Sequence, residues 1–251
     1  MLDQKNFQKT QSKIENFLNK HNLNQEAFKD RNYKLQTTDA IFCTKDSVRN
    51  KQFRNAIESV IDKKNKSDLI FVDAGAGTWI LGLFALILWV KKCYFIEQNP
   101  YSLQLSKDLI KYFWYIDKSI FLCEDACKTK LNEKFDVLIS ETVTSGFVQE
   151  DFIWIIKNLK QFAKPNAIFL PQSFELEIIE KPSWISQKIH IESKNLSNKI
   201  INLKNKNTSE LEFKMDANIF WNFWLKCWET ISFLNPRTLK TSDTHTLFIF
   251  K

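Results

Sequence analysis

Glu141 and Glu150 stand nine positions apart in Ser140-Glu141-Thr142-Val143-Thr144-Ser145-Gly146-Phe147-Val148-Gln149-Glu150, directly after the apolar run 137–139. A guanidinium is planar and stays charged at neutral pH. Two converging carboxylates could therefore clamp it by forked hydrogen bonds, favour a cationic product and bias electron density onto one nitrogen. Further upstream, Asp73-Ala74-Gly75-Ala76-Gly77 closes one apolar run, Glu97 closes the next, and Glu124-Asp125-Ala126 follows a third. Glycines let backbone approach a ligand closely, and a helix start offers free N–H groups. An acid at the second position can accept from both hydroxyls of a ribose, and an Asp at the third from an adenine amino group. Arg49 carries a fork that suits a carboxylate, and His245 could move a proton. Each has an ordinary alternative. A G-x-G turn is shared by many nucleotide folds, Arg49 could sit in a surface ion pair, Glu150 could begin a helix, and His245 could simply pack. Three successive run ends carrying a glycine turn, an acid and an acid are harder to set aside.

The elements that would position these residues follow from periodicity. Residues 1–30 are polar with apolar positions at helical spacing (Phe7, Ile14, Phe17, Leu18), and a second helical pattern covers 46–63. Strands are expected at 69–73, 92–97, 120–123 and 137–140, with helices at 79–90, 101–115 and 151–162. Such alternation predicts βαβ units and a parallel sheet. After Pro171 the pattern becomes polar–apolar alternation at 173–180 and 190–192, a loop-like Asn- and Lys-rich stretch at 195–207, and a last strand at 246–250. The expected organisation is an N-terminal helical segment at 1–45, a cofactor-binding α/β domain at 46–171 and a small β-rich, substrate-side domain at 172–251.

Composition narrows the class. With 44% hydrophobic residues the chain can bury a large core. The five cysteines form no C-x-x-C pair, so a reducing, cytoplasmic setting without a metal site is expected. The run 69–90 is long enough to span a bilayer, but its acid and glycines read better as a strand, a turn and a buried helix. The net charge of +7 comes almost wholly from lysines dispersed among asparagines, with only four arginines, which argues against nucleic acid as a partner.

Lys45-Asp46-Ser47-Val48-Arg49, followed by Phe53-Arg54-Asn55, resembles the K-D-x-V-R-x-x-x-[YF]-R-N segment of the protein arginine methyltransferases. The stretch 140–150 resembles that family's double-glutamate loop, and 159–165 with 168–171 resembles its continuation. The likeness covers roughly residues 42–180. It implies a Rossmann-like class I methyltransferase sheet and S-adenosyl-L-methionine as cofactor. Arg49, Asp73, Gly75, Gly77, Glu97, Asp125 and Ala126 would bind the cofactor, with Glu141, Glu150 and His245 catalytic. It also implies that Thr244-His245 is a shortened Thr-His-Trp loop whose histidine pairs with Asp46. The acceptor would be an arginine of a protein or peptide, or a small guanidino or amino compound, and the resemblance leaves room for a homodimer. Transfer to oxygen or carbon of a metabolite, and a degenerate methyltransferase fold kept for binding, are the alternative functions. The sequence departs from the family in three ways. Trp79 stands where the turn has its third glycine, and Asn166-Ala167 replaces a Gly-Gly turn. The C-terminal part is about 80 residues long, and no YF-x-x-Y signature is present.

Overall fold

A computed structural model describes residues 4–20, 36–63, 66–78, 80–143, 151–196, 200–202, 210–220, 223–228 and 246–248. Three helices come first: α1 (Gln4–Lys20), α2 (Thr37–Lys45) and α3 (Ser47–Asp62). Then follow β1 (Ile70–Ala74), α4 (Ile80–Ile87), β2 (Lys92–Ile96), α5 (Pro100–Tyr112), β3 (Ser119–Leu122), β4 (Phe135–Ile139), α6 (Phe152–Leu159) and β5 (Ala163–Leu170). These five strands form one parallel sheet in the order β3-β2-β1-β4-β5. The order reverses between β1 and β4, and ligands of such sheets bind at that switch, beyond the carboxyl ends of the strands.

The strands of this sheet are covered on both faces, and so they read as near-continuous apolar runs. On β1, Phe71 packs with α1, α3, α4 and α5 residues such as Ile14, Phe53, Leu83 and Leu109. Ile70, Val72 and Ala74 face the other way, toward Phe152 and Ile156 of α6. The apolar run 69–90 is divided into β1, a turn and the eight-residue α4. Among the described residues no helix is long and apolar enough to cross a membrane.

Gly82 lets α4 lie against β2. An added Cβ there would strike the Phe95 ring, 2.8 Å from its Cζ, and come within 3.0 Å of Cys93 Sγ. The close approach of α4 to β2 thus depends on Gly82, which the sequence reading did not foresee. Phe95 is fully buried and stacked on Phe121, so it has little room to yield. Gly82→Ala should therefore destabilise the fold by about 1–3 kcal/mol, as overpacking does. Equilibrium urea unfolding checks this, and an unchanged midpoint would refute the packing argument.

The second sheet is antiparallel, with β6 (Ser173–Lys181), β7 (Ile185–Glu192), β9 (Glu210–Phe220) and β10 (Phe223–Trp228) in the order β10-β9-β6-β7. Inward residues Phe174, Leu176, Ile178, Met215 and Ala217 join the α6 side of the core. The stretch 195–207, expected as loop, contains β8 (Ile200–Asn202), which pairs with β11 (Thr246–Phe248). A three-residue strand whose partner lies over forty positions away leaves almost no local signal. Asn166-Ala167 lies within β5, where the ladder to β4 jumps from Phe135↔Ala163 to Val137↔Ile168. An outward loop of β5 replaces the expected tight turn.

Candidate functional site

Of the residues singled out at the strand ends, Asp73, Glu97 and the segment carrying Glu141 meet at the turn after β1, while Asp125 stands beyond β3 with local partners. Gly75 and Gly77 both have left-handed backbones, φ 71° and 50°. The amides of Gly75 and Ala76 both donate to the Ile96 carbonyl, at 2.9 and 3.0 Å, which ties the turn to the end of β2. A side chain at Gly75 would strike the Thr142 methyl, so the glycine also admits the segment that carries Glu141.

Asp73 is 2% exposed, and its Oδ2 accepts the Gly82 amide at 2.8 Å, inside the first turn of α4. Its carboxylate thereby braces the turn. Burial pushes its pKa up to about 7, with the Gly82 amide opposing the shift and Glu97 adding to it.

Glu97 uses both oxygens. Oε2 accepts the Gly77 amide and Oε1 the Asn99 amide, each at 2.8 Å. Burial raises its pKa, and the Asn99, Gly77 and Gln98 amides pull it down. Each carboxylate oxygen has a second lone pair, so acceptor capacity remains for two hydroxyls. Asn99 caps α5, its Oδ1 accepting from Tyr101 and Ser102 at 3.0 and 3.4 Å, with Pro100 at the first helical position.

Asp125 follows β3 in a tight turn, Oδ1 accepting the Cys127 amide at 2.9 Å and Oδ2 lying 3.4 Å from Lys128 Nζ. Partial burial works to raise its pKa, but the Cys127 and Lys128 contacts prevail and lower it. Ala126 beside it is buried, and its carbonyl accepts the Asn158 amide at 2.9 Å. An open cleft of about 580 Å³ flanks this turn, lined by Asp125, Lys128, Trp154 and Lys157 among others.

Arg49 and Glu141, expected to serve cofactor and acceptor separately, meet each other. Arg49 Nη2 lies 3.2 Å from Glu141 Oε2, with side-chain exposures of 10% and 20%. Arg49 stands in the first turn of α3, which Asp46 caps by accepting the Arg49 amide at 3.0 Å. The Arg49 Nε is buried and has no hydrogen-bond partner. Burial works against the guanidinium charge and is the largest single influence, yet Glu141, Cys43 and Asp46 together outweigh it and raise the Arg49 pKa. Burial raises the Glu141 pKa, Arg49 opposes that, and Asp46 adds to it. Ser140, one step before, fixes the segment by donating to the Ala74 carbonyl at 2.8 Å.

The periodicity did not reveal α2, which covers the turn. Thr78 Oγ1 donates to the Ala40 carbonyl at 2.8 Å and is hydrogen-bonded to Thr44 Oγ1. Thr37 Oγ1 meets Ser102 Oγ at 2.9 Å, and Ser106 donates to the Gly77 carbonyl at 3.1 Å. Buried threonines at positions 37 and 44 and an exposed Phe42 give this helix no apolar stripe. The signal available in the sequence was the Thr-Thr-Asp start alone. Glu150, His245 and Trp79 lie outside the described residues. Among the described residues no group of three or more His, Cys, Asp or Glu side chains could hold a metal ion.

No family model matches the chain. In sequence it is 29% identical over 151 residues to a probable protein arginine N-methyltransferase 6 of Arabidopsis thaliana, covering 58% of this chain and 33% of that protein. It is 27% identical over 134 residues to protein arginine N-methyltransferase 6 of Danio rerio, covering 53% and 38%. The chain thus spans only about a third of the length of these curated relatives. In structure it is similar to the Trypanosoma brucei PRMT1 enzyme–prozyme heterotetrameric complex with AdoHcy, with a TM-score of 0.57 at 14% identity over 72% of this chain and 74% of that one. A second likeness is protein arginine methyltransferase 10 of Arabidopsis thaliana, with a TM-score of 0.56 at 12% identity over 85% and 82%. The chain has the Rossmann-like fold of these methyltransferases, and over about half its length its sequence is similar to the protein arginine N-methyltransferases.

Proposed function

We propose that the chain is an S-adenosyl-L-methionine-dependent N-methyltransferase acting on a guanidino nitrogen of arginine, in a protein, a peptide or a small molecule. The observation that carries this reading is the meeting of Arg49 and Glu141 at the switch of strand order, beside a left-handed glycine turn tied to Glu97. The buried, unpartnered Arg49 Nε is a donor awaiting an acceptor such as the methionine carboxylate, so the residues fit the cofactor. Glu97 would hold the ribose hydroxyls, with Asp125 and Ala126 on the adenine side.

When bound, S-adenosyl-L-methionine supplies a methyl group on a sulfonium, a leaving group that departs as a neutral thioether. The chain's part is to orient the acceptor. Glu141 can take N–H bonds from the guanidinium while its other contact stays with Arg49, and Glu150 is proposed to complete the clamp. The guanidino nitrogen held by Glu141 would accept that methyl group and give up its proton to a base. His245 or water is the proposed recipient.

Calorimetric titration with S-adenosyl-L-methionine, followed by product analysis with arginine peptides and free arginine, tests the reading. Absence of binding at millimolar ligand would overturn it. Glu97→Gln should weaken that binding by about 10–100-fold, because hydrogen bonds to a charged acceptor contribute about 1.5–3 kcal/mol. An unchanged dissociation constant would remove Glu97 from the site.

A further inference from the structure

Among the described residues, three that are not glycine have left-handed backbones: Trp89 at φ 71°, Trp114 at 65° and Trp184 at 58°. All three are tryptophan. A bulky residue in this region is a true outlier, because its Cβ crowds the neighbouring carbonyl.

Their positions are those where helices and hairpins ask for glycine. At the end of α4, the Trp89 amide donates to the Leu86 carbonyl at 3.0 Å and the Val90 amide to Ala85 at 3.4 Å. At the end of α5, the Trp114 amide donates to Lys111 at 3.0 Å and the Tyr115 amide to Ile110 at 3.1 Å. Both are Schellman motifs with tryptophan at the left-handed residue, which is usually glycine. Trp184 is the last of three residues linking β6 to β7, the left-handed position of a three-residue hairpin that again favours glycine. Burial does not offset the strain, since the three are 64%, 90% and 65% exposed. A Lys118 ammonium 5.2 Å from the Trp89 ring is a weak contact at such a surface. The chain also holds eight tryptophans and only four glycines, the reverse of ordinary usage.

We propose that positions 89, 114 and 184 are glycine positions and that the protein made in its own cells carries glycine there. The codon UGA is a stop in most organisms, tryptophan in some and glycine in others. A gene of the last kind, read by the rule of the second, shows tryptophan wherever the cell inserts glycine. Trp79 falls under the same reading, next after Gly75, Gly77 and Thr78 in the cofactor turn. The inference does not rest on the methyltransferase reading, and its failure would leave that reading untouched.

The test is tandem mass spectrometry on peptides of the protein purified from its own cells. Glycine is expected at 89, 114 and 184, and tryptophan at any of the three overturns the proposal. A second measurement uses the chain with tryptophan at these positions. Trp89→Gly, Trp114→Gly and Trp184→Gly should each raise Tm by roughly 2–4 °C, the strain relieved exceeding the added freedom of the unfolded chain. Trp154→Gly, in the first turn of helix α6, where no left-handed backbone calls for glycine, should lower it. A fall in Tm at either helix end would equally overturn the argument.

Discussion

Arg49→Ala should lower stability by about 3 kcal/mol and at the same time abolish measurable cofactor binding. The stability loss arises because a buried pair that loses one partner leaves the other charge desolvated and unsatisfied. Glu141 is that partner, 3.2 Å away and largely buried. Glu141→Gln acts differently. It removes the carboxylate that competes for Arg49, so cofactor affinity should hold or improve, while turnover falls by at least about a hundredfold as preorganised electrostatic stabilisation is lost. Pairing Arg49→Met with Glu141→Gln should recover part of the stability lost by Arg49→Ala and none of the activity. Thermal unfolding, titration calorimetry and single-turnover assays read the three effects separately. Independent stability losses in the cycle would show that the ion pair is not coupled, and retained turnover in Glu141→Gln would defeat the guanidinium clamp. Burial raises the Glu141 pKa, so the acid limb of the activity profile should lie above the ordinary carboxylate range.

Asp73→Asn should stabilise the protein at pH 8 and leave it almost unchanged at pH 4. The Asp73 pKa rises from an ordinary 3.8 to about 7 on folding, chiefly through burial. Between those values the native state binds a proton that the unfolded chain has released, so stability falls as pH rises through this window. Above about pH 7 the full penalty is present, up to roughly 4 kcal/mol. An asparagine keeps an oxygen for the Gly82 amide and carries no charge to desolvate. The difference between variant and parent, followed by denaturant unfolding from pH 4 to 8, should therefore grow with pH and level off near 7–8. A difference that stays flat would mean Asp73 is already well solvated or paired.

The parallel sheet was legible because its strands are doubly buried and its helices amphipathic, so 69–73, 92–97 and 137–140 stand out as apolar runs. The strand-end acids were legible for the same reason: Asp73, Glu97 and Glu141 are each the first charge after such a run, and Asp125 follows Glu124 by one step. What could not be read was contact between distant segments. Nothing local in Arg49 or Glu141 says that they pair across ninety positions. Helix α2 escaped because it is fastened by hydroxyls rather than by an apolar stripe, and β8 because its partner comes from the far end of the chain. Gly82 was hidden as one apolar-helix residue among many, and its necessity is visible only beside the Phe95 ring.

The hydroxyl fastening of α2 has its consequence in time more than in affinity. Thr37, Thr44 and Thr78 hold the helix over the turn by bonds that water can replace at small net loss, about 0.5–1.5 kcal/mol each. A cover fastened by so few bonds is expected to lift and close at modest cost. A ligand seated beneath it would exchange on the clock of that lifting, with arrival and departure quickened or slowed together. Thr44→Val would then shorten the residence of the ligand and hasten its capture, leaving the equilibrium between them nearly where it was.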